Sequence, residues 1–323
     1  MNGDQPGNGA EEGREPVGTI YPVPPFIERH GIPPILFAAL CLAVVFITYQ
    51  IVGGVISLFL FGQTPSAESV TGLRIITGLA QVCLVLLPAI ALTRLATREP
   101  KAFLQLRRPE LRLLLVPLIG IISLQQMLQV YLVFQDRIQL PPELQGILDQ
   151  LKEAIEQLTK LLVTTHTAGE FLLVILIIAV VPALVEEFFF RGLIQRSFEL
   201  QIGPVYAIIL GGIIFAGFHL NPFEFIPLAV LGVYLGFLRT YGRSLWISVA
   251  AHFYNNLYAC IMVYLGMDNG VIGAKEPEHL PTGPLLVIFW FFGVLFLVST
   301  LYFLSLSKAL HAAQPDEQGS DQH

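Results

Sequence analysis

Two glutamates, two histidines and an arginine stand out because they lie among apolar residues in the second half of the chain. Glu186, Glu187 and Arg191 belong to the stretch VEEFFFR, His219 ends the stretch FAGFH, and His252 begins the stretch HFYNN. A carboxylate with little hydration is an effective base, and an imidazole beside it can hold a water molecule and transfer protons. These residue types are suited to the hydrolysis of an amide by an activated water.

Asn256 adds a donor to this set. It follows His252 by four residues, so the two side chains share one face of a helix. A side-chain amide can donate a hydrogen bond to the negative oxygen that develops when a carbonyl is attacked. Asn255, three residues from His252, is the alternative donor.

The surroundings of these residues indicate a membrane. The chain has 323 residues, of which 54% are hydrophobic and only 13% are charged, whereas roughly a quarter of the residues in a soluble domain are charged. Stretches of about 18 or more apolar residues are long enough to cross a bilayer as helices. The sequence therefore predicts an all-α, polytopic bundle of about eight membrane spans, at 35–61, 74–93, 112–133, 171–199, 204–220, 224–239, 245–266 and 284–307.

Helix geometry predicts that the polar residues meet. Glu186 and His219 lie about 16 residues before and after a turn near Gly203, or about 25 Å along each helix. His252 and Asn256 lie about 15 and 20 Å beyond a second turn near Gly242. Ionisable residues within membrane spans are costly and predict function, so we expect a polar site where these helices reach the same depth.

Glu187 and Arg191 have a simpler interpretation. They are four residues apart with the glutamate first, which favours an ion pair on one helix face. We therefore expect a buried pair that fixes helix packing, and Glu186, on a different face, is the residue expected to point to the site. Gly232 and Gly236 form a GxxxG pattern that predicts close helix packing.

The segment 142–162 differs from the spans because apolar residues recur at helical spacing and charged residues occupy the other face. It predicts one interfacial amphipathic helix on the extracytoplasmic surface; a lid over the site is the alternative.

Basic residues cluster between the second and third predicted spans, which places that connection in the cytoplasm and both chain termini with it. The residues are Arg94, Arg98, Lys101, Arg107, Arg108 and Arg112. We expect four regions: a disordered cytosolic tail at 1–33, the first spans and the amphipathic helix at 34–169, a catalytic membrane core at 170–266, and the last span with a second cytosolic tail at 267–323. The remaining histidines and the three cysteines have no expected role in the site: the histidines are predicted at the surface, and the cysteines as small buried residues.

The three motifs, in this order, resemble EExxxR, FxxxH and HxxxN/B of the CAAX protease and bacteriocin-processing (CPBP) family, also called the abortive-infection family, over roughly residues 170–265. This resemblance implies an intramembrane endopeptidase similar to the type II CAAX prenyl proteases. By motif position it implies that Glu186 and His219 activate a water, that His252 and Asn256 stabilise the oxyanion, and that Glu187 and Arg191 support the first motif.

A metal is the main chemical alternative. Glu186, His219 and His252 could be three ligands of a catalytic zinc, and relatives have been named metalloproteases. The chain has no HExxH motif, and we expect metal-free catalysis without a cofactor.

Two other function classes stay open, namely a non-catalytic membrane scaffold and a transporter that uses the same intramembrane residues. The expected partners are the lipid bilayer and a membrane-associated peptide or protein substrate, prenylated or not, and no nucleic acid. We expect a multi-pass protein of a bacterial inner membrane, with the endoplasmic reticulum as the alternative in a eukaryote.

Overall fold

The computed structural model describes residues 25–62, 65, 68–139, 141–266 and 279–312. Over these residues the chain forms helices and no strands. The helices are α1 Phe26–Arg29, α2 Pro34–Phe61, α3 Val70–Ala96, α4 Pro100–Phe103, α5 Leu111–Asp136, α6 Pro142–Val163, α7 Ala168–Ile202, α8 Pro204–Phe218, α9 Phe225–Gly242, α10 Leu245–Tyr264 and α11 Thr282–Ala312.

Each of the eight predicted spans corresponds to a helix, and the all-α polytopic architecture is confirmed. Six of the helices, α2, α3, α5, α7, α9 and α11, are long and apolar enough to cross a membrane. α8 is apolar but has only 15 residues. α10 has sufficient length, but polar residues such as His252 and Asn256 lower its hydropathy. The short helix α8 and the less apolar helix α10 are thus two of the three helices that carry the polar motifs.

α7 is a helix of 35 residues that is interrupted by two π-helical stretches, Ile175–Val180 and Glu187–Gln195. The π-helix, with its i→i+5 hydrogen bonds, is rare and is frequent at functional sites. Glu186 is the last residue before the second stretch, and Glu187 is its first residue. The change of helical winding therefore falls between the two glutamates.

The core consists of two main apolar clusters. One joins residues of α2, α3, α7 and α8, including Val185, Phe189 and Phe215. The other joins residues of α5, α9, α10 and α11, including Leu235 and Ala251. Glu187 and His252, which are neighbours of these residues in α7 and α10, consequently lie where the two clusters meet.

α8 and α9 approach each other closely through glycines. A Cβ atom on Gly232 would lie 2.8 Å from Cα of Gly212, and a Cβ atom on Gly236 would lie 2.5 Å from Oε1 of Gln195. Real Cβ atoms are not found at such distances from other heavy atoms. The predicted role of the GxxxG pattern in close packing is confirmed. On α8, the residue that packs against Gly232 is also a glycine, Gly212.

α6 is the amphipathic helix, and none of its residues is buried. Its apolar residue Ile147 is 66% exposed, as expected for a helix whose apolar face meets lipid. Arg74 of α3, itself 1% exposed, binds the end of α6 by donating to the carbonyl oxygens of Leu161, Leu162 and Thr164 at 3.1, 2.8 and 2.5 Å. Arg74 lies in the first turns of α3.

The predicted N-terminal tail, 1–33, is described only from residue 25 onwards. Residues 1–24 and the end of the second predicted tail, 313–323, lie outside the described residues. The described part, 25–33, contains α1, and Ile27 is buried against the first apolar cluster. Of the cysteines, Cys41 and Cys260 are buried as predicted, whereas Cys83 is exposed on the apolar helix α3.

Candidate active site

Three helices bring a glutamate and two histidines together. Glu186 Oε2, on α7, lies 3.8 Å from Nε2 of His219 at the end of α8 and 4.0 Å from Nε2 of His252 on α10. Both distances are too long for a direct hydrogen bond and suit groups that share a water molecule. As the helix geometry predicted, α7, α8 and α10 therefore bring Glu186, His219 and His252 together.

The carboxylate of Glu186 is largely shielded, with 18% of the side chain exposed. Its Oε2 atom is buried and has no hydrogen-bond partner among the described residues. A buried acceptor that is not hydrogen-bonded costs free energy, and such atoms mark places where water or a ligand completes the structure. This oxygen is the one that faces both histidines.

The ring of His219 is held by its own helix. Its Nδ1 atom donates to the carbonyl oxygen of Phe215 at 2.8 Å, because a carbonyl can only accept. In the neutral ring Nε2 is then the acceptor nitrogen, and this is the nitrogen on the side of Glu186. The side chain of His219 is 30% exposed, so the site has contact with its surroundings at this residue.

The carboxylate of Glu187 contacts two side chains, an arginine of its own helix and a histidine of α10. Its Oε1 atom lies 2.9 Å from Nη1 of Arg191 and accepts a hydrogen bond of 2.9 Å from Nδ1 of His252. The ion pair with Arg191 was predicted; the bond to His252 was not, because the two residues are 65 positions apart. Glu187 therefore fixes the orientation of His252 as well as the packing of α7.

Arg191 is enclosed by protein on every side. It is 1% exposed, its Nη2 donates to the carbonyl oxygen of Gly232 at 3.1 Å, and its guanidinium lies 4.3 Å from the centre of the Phe215 ring. These contacts join α7 to α9 and α8. The motif phenylalanine thus separates the arginine from the reactive side of the site, and its ring also contacts both histidines.

Asn256 lies one turn beyond His252 on α10, as predicted. Its Nδ2 atom donates to the carbonyl oxygen of Ile178 at 3.1 Å, and its Oδ1 atom accepts from Asn255 at 3.1 Å. These bonds orient the amide against a π-helical stretch of α7. An amide nitrogen carries two hydrogens, so Nδ2 retains a second donor.

A polar cavity of about 840 Å³ lies beneath α6. Its lining includes Asp136, Lys152 and Glu156 on one side and Asn221 and Glu224 on the other. Glu224, in the loop between α8 and α9, lines this cavity; desolvation raises its pKa, the charge of His219 lowers it and the charge of Glu156 raises it. The charge of Glu224 is therefore coupled both to a site residue and to α6.

A second buried ionic cluster was missed by the sequence analysis. Glu199 of α7 accepts from Nη1 of Arg239 of α9 at 2.7 and 2.6 Å, and from the hydroxyl of Thr240 at 2.8 Å. Gln195 donates to the same carboxylate at 3.1 Å. Arg239 is fully buried. The periodic spacing of charges cannot predict a pair between helices 40 positions apart.

Within the described ranges, no group of three or more His, Cys, Asp or Glu side chains is positioned to hold a metal ion. Glu186, His219 and His252 do not form such a group; Oε2 of Glu186 lies 3.8 and 4.0 Å from the Nε2 atoms of the two histidines.

Residues 168–258 match the family model described as type II CAAX prenyl endopeptidase Rce1-like. The matched segment contains all three motifs, in agreement with the resemblance to the CPBP family, and the family that the model describes is a protease family. A search of curated proteins and a search of solved structures gave no match.

Proposed function

We propose that this protein is an intramembrane endopeptidase that hydrolyses a peptide bond of a membrane-associated substrate, either CAAX-like or another peptide. The family match supports a peptidase role. The observation that carries the proposal is the position of Glu186 Oε2 between the Nε2 atoms of His219 and His252, at 3.8 and 4.0 Å.

Glu186 and His219 activate the water in this proposal. A water between them can donate one hydrogen to the carboxylate and the other to Nε2 of His219, whose Nδ1–H is held by Phe215. As the water attacks the carbonyl carbon, its proton passes to Glu186, and the same proton is available for the leaving amine. The proton path needs no group beyond those that already face each other.

His252 and Asn256 stabilise the oxyanion. For His252 to donate from Nε2 while Nδ1 donates to Glu187, the ring carries both protons, and the adjacent carboxylate of Glu187 stabilises that positive form. Asn256 contributes the second N–H of Nδ2, since the first is bonded to Ile178. Removal of one such donor in other enzymes lowers the rate by about 10²–10³-fold.

Glu187 and Arg191 are positioning residues. Glu187 holds His252 by a 2.9 Å hydrogen bond, and Arg191 balances the charge of Glu187 while it binds the backbone of α9. Neither residue needs to touch the substrate for this role.

We place the protein in a bacterial inner membrane, with the basic connection after α3 and both termini in the cytoplasm. The exposed part of His219 and the polar cavity beneath α6 support access to the site from the α6 side of the bundle.

The test is peptide-bond cleavage by detergent-purified protein, with a library of membrane-anchored and prenylated peptides. Glu186→Gln keeps the size of the side chain but removes the base, so we expect at least about 10²-fold slower cleavage with unchanged thermal unfolding. Glu153→Gln, an exposed glutamate of α6, is the matched control and should cleave as the wild type does. Cleavage at the wild-type rate by a folded Glu186→Gln protein would overturn the assignment.

The same assay with strong chelators addresses the zinc alternative. Cleavage that resists chelation and is lost in Glu186→Gln supports a water activated by glutamate and histidine. Cleavage that chelators abolish and zinc restores would reassign Glu186, His219 and His252 as ligands of a metal.

A further inference from the structure

A second cavity, of about 220 Å³, lies at the opposite end of the bundle from α6. It is bounded by the connection before α5, by the ends of α9 and α11, and by the start of α10. The side chains that give it chemical character are Arg107, Arg108, Glu110 and His311. None of these residues belongs to the candidate active site.

Positive charge predominates in this cavity. Arg107 and Arg108 line it, and Arg243 follows the lining residue Gly242; both Arg107 and Arg243 act electrostatically on the ring of His311. Glu110 is the one carboxylate among the lining residues. The two lining arginines and the adjacent Arg243, set against Glu110, give a formal charge of plus two.

Buried hydrogen bonds hold the walls of this cavity in place. The hydroxyl of Ser244, which is fully buried, donates to the carbonyl oxygen of Arg107 at 2.7 Å, and the backbone N–H of Leu245 donates to the carbonyl oxygen of Gln105 at 3.0 Å. On the other wall, Ser307 donates to the carbonyl oxygen of Tyr241 at 2.6 Å and accepts from Nδ1 of His311 at 3.2 Å. The cations are thus carried on fixed backbone rather than on a loose loop.

The level of the cavity relative to the membrane follows from its boundaries. Leu111 starts α5, Gly242 ends α9, and Leu310 and His311 lie in the last turn of α11. Ends of membrane-spanning helices lie near the headgroup layer. Basic pockets between such helices bind anionic lipid headgroups, because phosphate oxygens pair with guanidinium groups in a region of reduced dielectric.

We infer that this cavity binds the phosphate of an anionic phospholipid headgroup. The phosphate lies between Arg107 and Arg108, with Arg243 contributing positive charge from the other wall. This role is independent of the proposed peptidase function, because it involves no residue of the candidate active site.

The experiment measures binding of phosphatidylglycerol to the full-length protein in neutral detergent, by native mass spectrometry and by the rise in unfolding temperature. Phosphatidylcholine is the lipid control. We expect Arg107→Gln/Arg108→Gln to bind phosphatidylglycerol about thirtyfold more weakly than the wild type does. Arg94→Gln/Arg98→Gln removes two exposed arginines at and just after the end of α3, outside the cavity, and it should bind within about twofold of the wild type.

Inorganic phosphate and glycerol phosphate form a third arm that separates the two sources of the anion. Stabilisation by the lipid alone assigns the cavity to a headgroup. Equal stabilisation by free phosphate, lost in Arg107→Gln/Arg108→Gln, keeps the phosphate site but overturns its assignment to a lipid. Equal losses in the two double variants, or none in either, would show diffuse attraction rather than a site and would overturn the inference.

Discussion

At the level of single residues, Glu187 is a buried carboxylate that contacts both an arginine and a histidine. Its Oε1 atom is 2.9 Å from Arg191 and 2.9 Å from His252, and its side chain is fully buried. The sequence predicted the first contact because both residues lie on one helix, four positions apart. It could not predict the second, because no local spacing relates residue 187 to residue 252. The result is that one carboxylate serves both helix packing and the orientation of a site histidine.

Arg191→Met is expected to destabilise the protein strongly. The substitution keeps much of the apolar stem but leaves Glu187 buried without its cation, and removing one partner of a buried pair costs about 3–5 kcal/mol. Unfolding in detergent by denaturant or heat measures the loss. Arg196→Met is the control on the same helix, since Arg196 is 32% exposed and its pair with Glu199 should contribute about 1 kcal/mol or less. Equal destabilisation by the two substitutions would contradict the buried pair.

At the level of the helices, hydropathy predicts that a helix exists and roughly where it begins and ends. The π-helical stretches and the contacts between helices are known only from the structure. The start of α9 was predicted at 224 and is Phe225, because a long apolar stretch specifies its own extent. The π-helical stretch Glu187–Gln195 had no counterpart in the prediction, which used ordinary helical spacing. The pair of Glu199 and Arg239 was also missed, because it depends on how α7 packs against α9.

The close approach of α8 and α9 predicts that alanine is tolerated differently at two glycines of these helices. Gly232→Ala would place a Cβ 2.8 Å from Cα of Gly212, so the helices must separate, and we expect destabilisation by about 1–3 kcal/mol. Gly217→Ala, in α8, meets no atom within 4 Å and should be neutral or stabilising by about 0.5–1 kcal/mol, as expected for an open helical position. Thermal unfolding of the two variants provides the comparison. A stable Gly232→Ala protein would show that the helices are not packed this closely.

At the level of the whole molecule, the attachment of α6 determines how the cavity beneath it opens. One attachment is Arg74, which binds three carbonyl oxygens near the end of α6. Another is the ion pair of 2.7 Å between Lys152 and Asp136 of α5. The buried arginine is the firmer of the two, since Lys152 and Asp136 are 31% and 51% exposed. Motion of α6 should therefore pivot near its C-terminal end.

Arg74→Met is expected to loosen that end of α6. Hydrogen bonds from a charged donor contribute about 1.5–3 kcal/mol each, so amide hydrogen exchange in the last turns of α6 should become at least about tenfold faster. Lys160→Met, which removes an exposed cation from the same helix, is the control and should leave exchange near the wild-type rate. Unchanged exchange in Arg74→Met would show that lipid contact, rather than Arg74, holds α6.

The brevity of α8 has a consequence for the membrane itself. Its 15 residues span about 22 Å, against about 30 Å for the hydrocarbon layer of a typical bilayer. Lipids beside a short apolar helix compress, so the headgroup region descends towards the end of α8, where His219 lies. We therefore expect the bilayer to be thinner beside this end of α8, and a thinner membrane to accommodate the protein with less elastic strain.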